Sequence, residues 1–341
     1  MTVKVHKPKH NLKEKLDSNN LQTGQAGRDT LKSENMRELF SNTGTSRKNI
    51  LINGGFDVWQ RATYFAATSG YFGPDQWFSA GAAAGFIAQR LASGGTEPFA
   101  SKYYTRVQMA SSNTNINQNI EHTGRYMADK YVTLSFWARS DKPVNWKSKL
   151  ISGTQTELAS RDSYAGMEWT YNEITFPPFS YADWGNDVAK LYFGREFSEE
   201  NARLDIAEVQ LEIGSQATPF ERLPIYETLL NCYRYCYVLT ADGTTTNFGI
   251  GTVEGTAIAA LSLGNFPVQM YSVPTVATNS GVSFYSPTTL GRTFTLTTNR
   301  SSTTQAALFV TITSAGAVPG ESCSLFNNGS GGKVTFEAKI V

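Results

Sequence analysis

The sequence predicts a mainly β protein: a jelly-roll β-sandwich followed by a short helix and a second, smaller β-sandwich, behind an extended N-terminal arm. Three observations predict it. Aromatic residues make up 12% of the 341 residues, charged residues only 17%, and Gly occurs 29 times, a balance that suits pleated, half-buried surfaces joined by tight turns. Short alternating segments recur along the chain, each bounded by Gly, Asn, Ser or Pro. The texture changes abruptly at Asn49, from polar to aromatic and aliphatic.

Residues 1–48 form the arm. They hold seven Lys and three Arg against five Asp or Glu, a local charge of +5, which leaves 20 basic and 24 acidic residues, or −4, for the remainder. Apolar side chains are too sparse there to bury a core. A single short helix capped by Ser33 would bring Met36, Leu39 and Phe40 onto one face, and these are the candidate anchoring residues. A basic arm on a slightly acidic body points to docking on an acidic partner surface, with no specific nucleic acid expected.

Residues 49–222 form the first β domain. The segment NILINGGFDVWQR reads as a strand, a bend at the Gly-Gly pair and a second strand. Further strands are expected at 86–91, 102–110, 116–122, 130–140, 168–176, 190–197 and 202–214. Alternation is clearest where Val132, Leu134, Phe136 and Ala138 oppose Thr133, Ser135, Trp137 and Arg139. Leu204 and Ile206 share a face with Val209, Leu211 and Ile213 only if one residue is inserted at Ala207-Glu208, which predicts a β-bulge. Short strands in this number read as a two-sheet jelly roll.

Residues 223–341 form the C-terminal β domain. Pro224 suits a helix start, and Ile225, Leu229, Cys232, Tyr233 and Cys236 fall on one stripe of a helix over about 225–236. Strands are expected at 257–264, 267–273, 292–299, 306–314 and 333–340. The spacing Gly249-x-Gly251-x-x-x-Gly255 lies between β runs with no helix after it, so it reads as a hairpin bend and not as a phosphate loop.

Chemistry-bearing residues are few. Cys232, Cys236 and Cys323 are too few and too isolated for a disulfide framework or a zinc site, so buried thiols are expected. No apolar run approaches the length needed to cross a bilayer, and MTVKVHKPKH lacks the apolar stretch of a secretory signal; membrane insertion is not expected. The histidines His6, His10 and His122 form no nucleophile–base set. Asp183 and Asp187, around Trp184, are the one acid pair that evokes glycoside hydrolysis, and solvated loop acids are the preferred reading. No catalytic residue and no cofactor are assigned, and no enzyme activity is expected.

The blocks NILINGGFDVWQR, GPDQWF, QNIEHTGRYMADKYVTLSFWARS and LDIAEVQLEIGSQATPFERLPIYETLLNCYRYC resemble bacteriophage tail-fibre and virion-appendage proteins that carry a carbohydrate-binding-module-like jelly roll. The resemblance spans about 49–236 and leaves 237–341 without a specific motif. It implies a structural virion protein, a tail or neck fibre and usually a homotrimer. Such a protein is synthesised in the host cytoplasm, attaches to other virion proteins of tail, neck or capsid through its arm, and binds a host surface polysaccharide. A decoration protein without receptor binding and a glycan depolymerase are the alternatives.

Sugar rings stack on aromatic faces, so the tryptophans are weighed singly. Trp59 and Trp77 sit among apolar neighbours and read as core. Trp137 lies opposite the apolar set of its strand and is ambiguous. Trp146, Trp169 and Trp184 are flanked by polar residues and, with Tyr181, are the candidate carbohydrate contacts. The resemblance also implies a structural calcium site where an acid of the first strand meets an Asp pair in the last. Asp57 matches the first position, but Ala207-Glu208 stands where the pair is expected and Asp205 lies two residues earlier. Asp57, Asp205 and Glu208 are therefore weak calcium candidates, and no metal is assigned.

Overall fold

The computed structural model describes residues 48–338, less 67–72, 81–86, 109–114, 122, 186–187, 196–197, 200, 244–245, 289–293, 299–300, 313–316, 328 and 330. The proposed anchoring residues Met36, Leu39 and Phe40, and His6, His10, His122 and Asp187, lie outside the described residues.

Two antiparallel sheets make the first sandwich. Strands β1 (Tyr64–Ala66), β3 (Ile87–Ala92), β4 (Tyr103–Gln108), β11 (Arg203–Ile213), β6 (Val132–Ser140) and β9 (Thr170–Phe176) form a six-stranded sheet in that order. Strands β2 (Phe78–Ala80), β5 (Asn115–Glu121), β10 (Val188–Arg195), β7 (Val144–Ser152) and β8 (Glu157–Ala165) form the five-stranded partner. A short helix α1 (Thr123–Met127) follows β5. The chain crosses repeatedly between the sheets, from β4 to β5, β5 to β6, β6 to β7 and β8 to β9, which is the jelly-roll arrangement.

The core lies between the two sheets. Val132, Leu134, Phe136 and Ala138 of β6 are fully buried. Phe136 meets Phe193 of the opposite sheet edge-on, ring centroids 4.8 Å apart, and Trp146 at 6.0 Å. Trp77 closes the same cluster against Phe193. In β11 the register shifts between Ala207 and Gln210, and Glu208 takes φ 50°. This is the expected bulge, and it lets Ile206, Val209 and Leu211 all face inward.

The segment expected as two strands at 49–61 is irregular instead. Asn53 and Phe56 both have positive φ, 58° and 57°, and Asn-centred loop bonding competes successfully with strand pairing. Asn53 Nδ2 donates to the carbonyls of Val58 and Asp75, its Oδ1 accepts from Val58 N, and its own carbonyl accepts from Trp77 Nε1. One buried amide thus ties NGGFDVW to PDQW, and Trp59 and Trp77 are core as expected. Strands β1, β2, β7 and β8 are not among those the sequence predicts.

Helix α2 spans Ile225–Tyr233. It stops short of Cys236, which opens strand β12 (Cys236–Thr240). Thr228 and Cys232 face inward, while Ile225 is 58% exposed; the expected stripe of Ile225, Leu229, Cys232, Tyr233 and Cys236 is corrected accordingly. Strands β12, β20 (Lys333–Glu337) and β15 (Thr275–Ser280) form one sheet of the second sandwich. Strands β16 (Val282–Tyr285), β19 (Ser322–Asn327), β13 (Asn247–Gly255), β14 (Ile258–Asn265), β18 (Gln305–Ile312) and β17 (Phe294–Thr297) form the other. Phe266, Phe284, Leu308, Val310, Leu325 and Phe336 are among its core.

Two expectations here are corrected. Residues 267–273 are irregular and not a strand, with Met270 plugged into the core. Gly249 and Gly251 lie within β13, not at a bend; a Cβ on Gly251 would stand 1.8 Å from the Ala260 carbonyl oxygen of β14, so only glycine admits that approach. The Cys232, Cys236 and Cys323 thiols are free and buried, and burial raises all three above the usual thiol range.

Charged and polar groups join the sandwiches. Arg61 bridges Asp75 and Glu337. Gln60 Nε2 donates to the Cys236 carbonyl, and its Oε1 accepts from Val238 N. Arg234 forks onto Glu121 at 3.2 and 3.0 Å, and the Tyr235 hydroxyl donates to the same carboxylate.

Candidate functional site

The outer face of the six-stranded sheet carries a layered polar and aromatic array. Because side chains alternate along a strand, the burial of Phe136 and Ala138 places Trp137 and Arg139 outside. One row crosses the sheet as Arg106 of β4, Asp205 of β11 and Arg139 of β6, paired in register. Arg106 donates through Nε at 2.6 Å and Nη2 at 2.9 Å, and Arg139 through Nη2 at 2.8 Å, so Asp205 holds both guanidiniums. That hydrogen bonding raises the Arg106 pKa further above its ordinary value.

The next row, one pleat away, runs through Ala207, Trp137 and Tyr171, also in register. Ala207 is small, and Tyr104, Phe99, Leu91, Trp137 and Trp169 close over it as a minor cluster outside the main core. Trp169 meets Phe99 and Tyr104 edge-on at 4.7 and 5.4 Å, and the Arg139 guanidinium lies 4.7 Å from its ring centre. Trp137 and Tyr171 form an adjoining ring pair, 5.1 Å apart and inclined by 58°. Tyr171 is 44% exposed.

A strap bounds this array on one side. The segment 215–222 crosses the same face after β11, held by the buried Gln210 and Glu212 of that strand and by the exposed Glu173 of β9. Glu212 accepts from Thr218 N and Thr218 Oγ1, Gln210 Oε1 accepts from Glu221 N, and Glu173 accepts from Ala217 N. The strap gives the LEIGSQATPFER block a structural role: Gln210 and Glu212 of the strand each catch a backbone N–H of the segment that covers them.

The four predicted carbohydrate contacts fall in different settings. Trp146 and Trp184 are fully buried, and both are corrected as platforms. Trp146 points inward from β7 while Asn145 and Lys147 point out, so the polar neighbours that marked it as exposed belong to the opposite face. Trp184 is tucked under a turn that Asp183 holds through Ser180 N and Ser180 Oγ, and it packs edge-on against Phe179. Trp169 is half-buried in the outer cluster. Tyr181 stands in the turn beside Trp184, 51% exposed. The alternation of β6 in the sequence already sets Trp137 and Arg139 opposite its apolar set, though it leaves Trp137 ambiguous; nothing in the sequence singles out Tyr171.

The calcium candidates are engaged otherwise. Asp205 is held by two arginines, and Glu208 Oε1 accepts from Ala100 N, Ser101 N, Ser101 Oγ and Arg222 Nη2. Burial raises the Asp57 pKa, with Arg222, Arg90 and Lys102 opposing that rise. Among the described residues no group of three or more His, Cys, Asp or Glu gathers to hold a metal, and no helix is long and apolar enough to cross a membrane.

No protein-family model and no curated protein matches the chain. Similar solved structures include the CBM22-1 xylan-binding domain of Paenibacillus barcinonensis Xyn10C, at 12% identity and TM-score 0.32, covering 51% of this chain and 100% of that one. A second is the enzymatically active domain of tailspike protein 4 of bacteriophage CBA120, at 13% identity and TM-score 0.33, covering 49% of this chain and 21% of that one. A third is a cyclase from Fischerella sp. TAU, at 14% identity and TM-score 0.36, covering 50% and 98%.

Proposed function

We propose that the chain is a glycan-binding structural protein of a virion, a tail or neck fibre that docks through its basic arm and holds host surface polysaccharide without cleaving it. The observation that carries the binding reading is the Trp137–Tyr171 pair, two rings on the outer face of a sheet whose core lies on the other side. Aromatic side chains are ordinarily retained inside, where their area contributes most. A ring pair held half-open by strand pairing, beside a row of fixed guanidinium donors, offers a sugar both an apolar face and hydrogen bonds.

The arm supports the attachment reading through its charge of +5 and its scarcity of apolar groups. A homotrimer fits the apolar exposure on α2, where Ile225, Tyr226 and Leu230 are 58%, 61% and 40% exposed, and shared apolar surface would stabilise the small second sandwich. Three copies on one stalk would convert weak single-site binding into retention through effective concentration.

The test is binding of the intact protein to an array of bacterial surface polysaccharides, alongside Trp137→Ala and Tyr171→Ala. Both variants should lose binding while their melting midpoints stay near that of the unmodified protein. Unchanged binding in both variants overturns the site, and shortening of the bound polysaccharide overturns the non-enzymatic reading.

A further inference from the structure

We infer that the Trp137–Tyr171 face takes an acidic saccharide, a sugar bearing a carboxylate, and that Arg139 is the residue that selects it. The inference rests on the glycan-binding reading of that face and adds the class of ligand.

Donors outnumber acceptors along the Arg106–Asp205–Arg139 row. Two guanidiniums, Arg106 and Arg139, share the single carboxylate of Asp205, which leaves one formal positive charge in that row. Arg106 spends Nε and Nη2 on Asp205, whereas Arg139 spends only Nη2. Its Nε and Nη1 donate to no acceptor among the described residues, and its side chain is 30% exposed. The neighbouring carboxylates are turned elsewhere: Glu97 accepts from the loop N–H groups of Gly94, Gly95 and Thr96, and Asp141, whose charge also acts on Arg106, accepts from Arg203 N.

Position makes this charge usable. Arg139 and Trp137 are two residues apart on one face of β6, so about 6.6 Å separates them along the strand, close to the width of one pyranose ring and its substituent. Asp205 on one side and the Trp169 ring on the other fix the guanidinium plane, so little side-chain freedom remains to be lost on binding. A sugar stacked on Trp137 and Tyr171 would carry its carboxylate within reach of the Arg139 N–H groups that Asp205 does not hold. A neutral sugar could use the rings but would leave the charge without a counterpart.

The experiment uses three acidic tetrasaccharides, of galacturonate, mannuronate and sialate, each beside its carboxyl-reduced counterpart, titrated calorimetrically into the full chain at low and high salt. The expected result is at least one acidic tetramer bound about tenfold or more tightly than its reduced form, an advantage that shrinks with salt. Arg139→Gln should abolish the preference and keep residual binding of the reduced form, and Arg139→Lys should retain much of it. Equal binding of acidic and reduced forms overturns the inference and leaves the glycan-binding reading standing. Binding of none of the six overturns both. A preference that persists in Arg139→Gln, with the fold intact by circular dichroism, also overturns the role given to Arg139.

Discussion

Arg61 Nε donates to Glu337 Oε1 across 2.9 Å, joining the start of the first sandwich to the last described strand of the second. The same guanidinium reaches Asp75 at 3.4 Å, and Asp75 is fully buried. One cation thus sits between two carboxylates, with the buried Cys232 and Cys236 thiols nearby. Arg61→Met should remove the cation that these carboxylates share and cost about 3–5 kcal/mol, the usual penalty for breaking a buried pair from one side. Urea unfolding measures it; a loss well under 1 kcal/mol would mean that water reaches the joint.

Asp75 should make stability depend on acidity in an unusual direction. Burial raises its pKa above the ordinary 3.8, more than Arg61 and Gln60 lower it. The folded form therefore holds this proton more tightly than the unfolded chain does. Between the ordinary value and the raised one the folded state carries more protons, so this residue's contribution to stability falls as pH rises through that window. Asp75→Asn removes the contribution. The difference in unfolding free energy between variant and parent should change with pH only across that window, as unfolding at closely spaced acid pH values would show.

Gly251 tests the second sandwich. A methyl group there would collide with the Ala260 backbone, whereas one on Gly243 would find only Thr246 Oγ1 at an ordinary 3.6 Å. Gly251→Ala should destabilise by about 3 kcal/mol through strain in a close-packed strand pair, and Gly243→Ala should be close to neutral. Equal melting midpoints for the two variants would show that β13 and β14 separate easily.

Much of this fold was legible in the sequence, and two of the strands it hides, β7 and β8, share a cause. Strand β6 was readable because large apolar side chains alternate with polar ones. Strand β8 was not, because its inward residues include Ala159, Ser163 and Ala165, too small to leave a hydrophobic signal. In β7 the set Val144, Trp146, Ser148 and Leu150 is interrupted by a serine, which the structure satisfies by pairing Ser148 with Ser163 at 2.7 Å. The site failed for a related reason. Polar neighbours suggest exposure at Trp146, yet in a strand the neighbours of a buried residue are the outward ones. Trp137 had the opposite setting and was the better candidate. Its partner Tyr171 is remote in sequence, and only the pairing of β6 with β9 brings the two together.

The bulge at Glu208 supports a last prediction, that calcium is dispensable to this jelly roll. Glu208 Oε1 already accepts four hydrogen bonds, from Ala100 N, Ser101 N, Ser101 Oγ and Arg222 Nη2, at 2.9 to 3.3 Å. The Arg222 charge also acts on Asp57, so a side-chain cation serves the two acids that calcium would otherwise bridge. Calcium favours six or more oxygens, and Asp205 is withdrawn to Arg106 and Arg139. Chelator should therefore leave the melting midpoint unchanged within about 1 °C, and millimolar calcium should not raise it, since a ligand that bound the folded state would do so by mass action. Arg222→Leu should lower the midpoint, and in that variant added calcium should restore part of the loss. A large fall on chelation of the unmodified protein would place a metal where Arg222 is assigned the role.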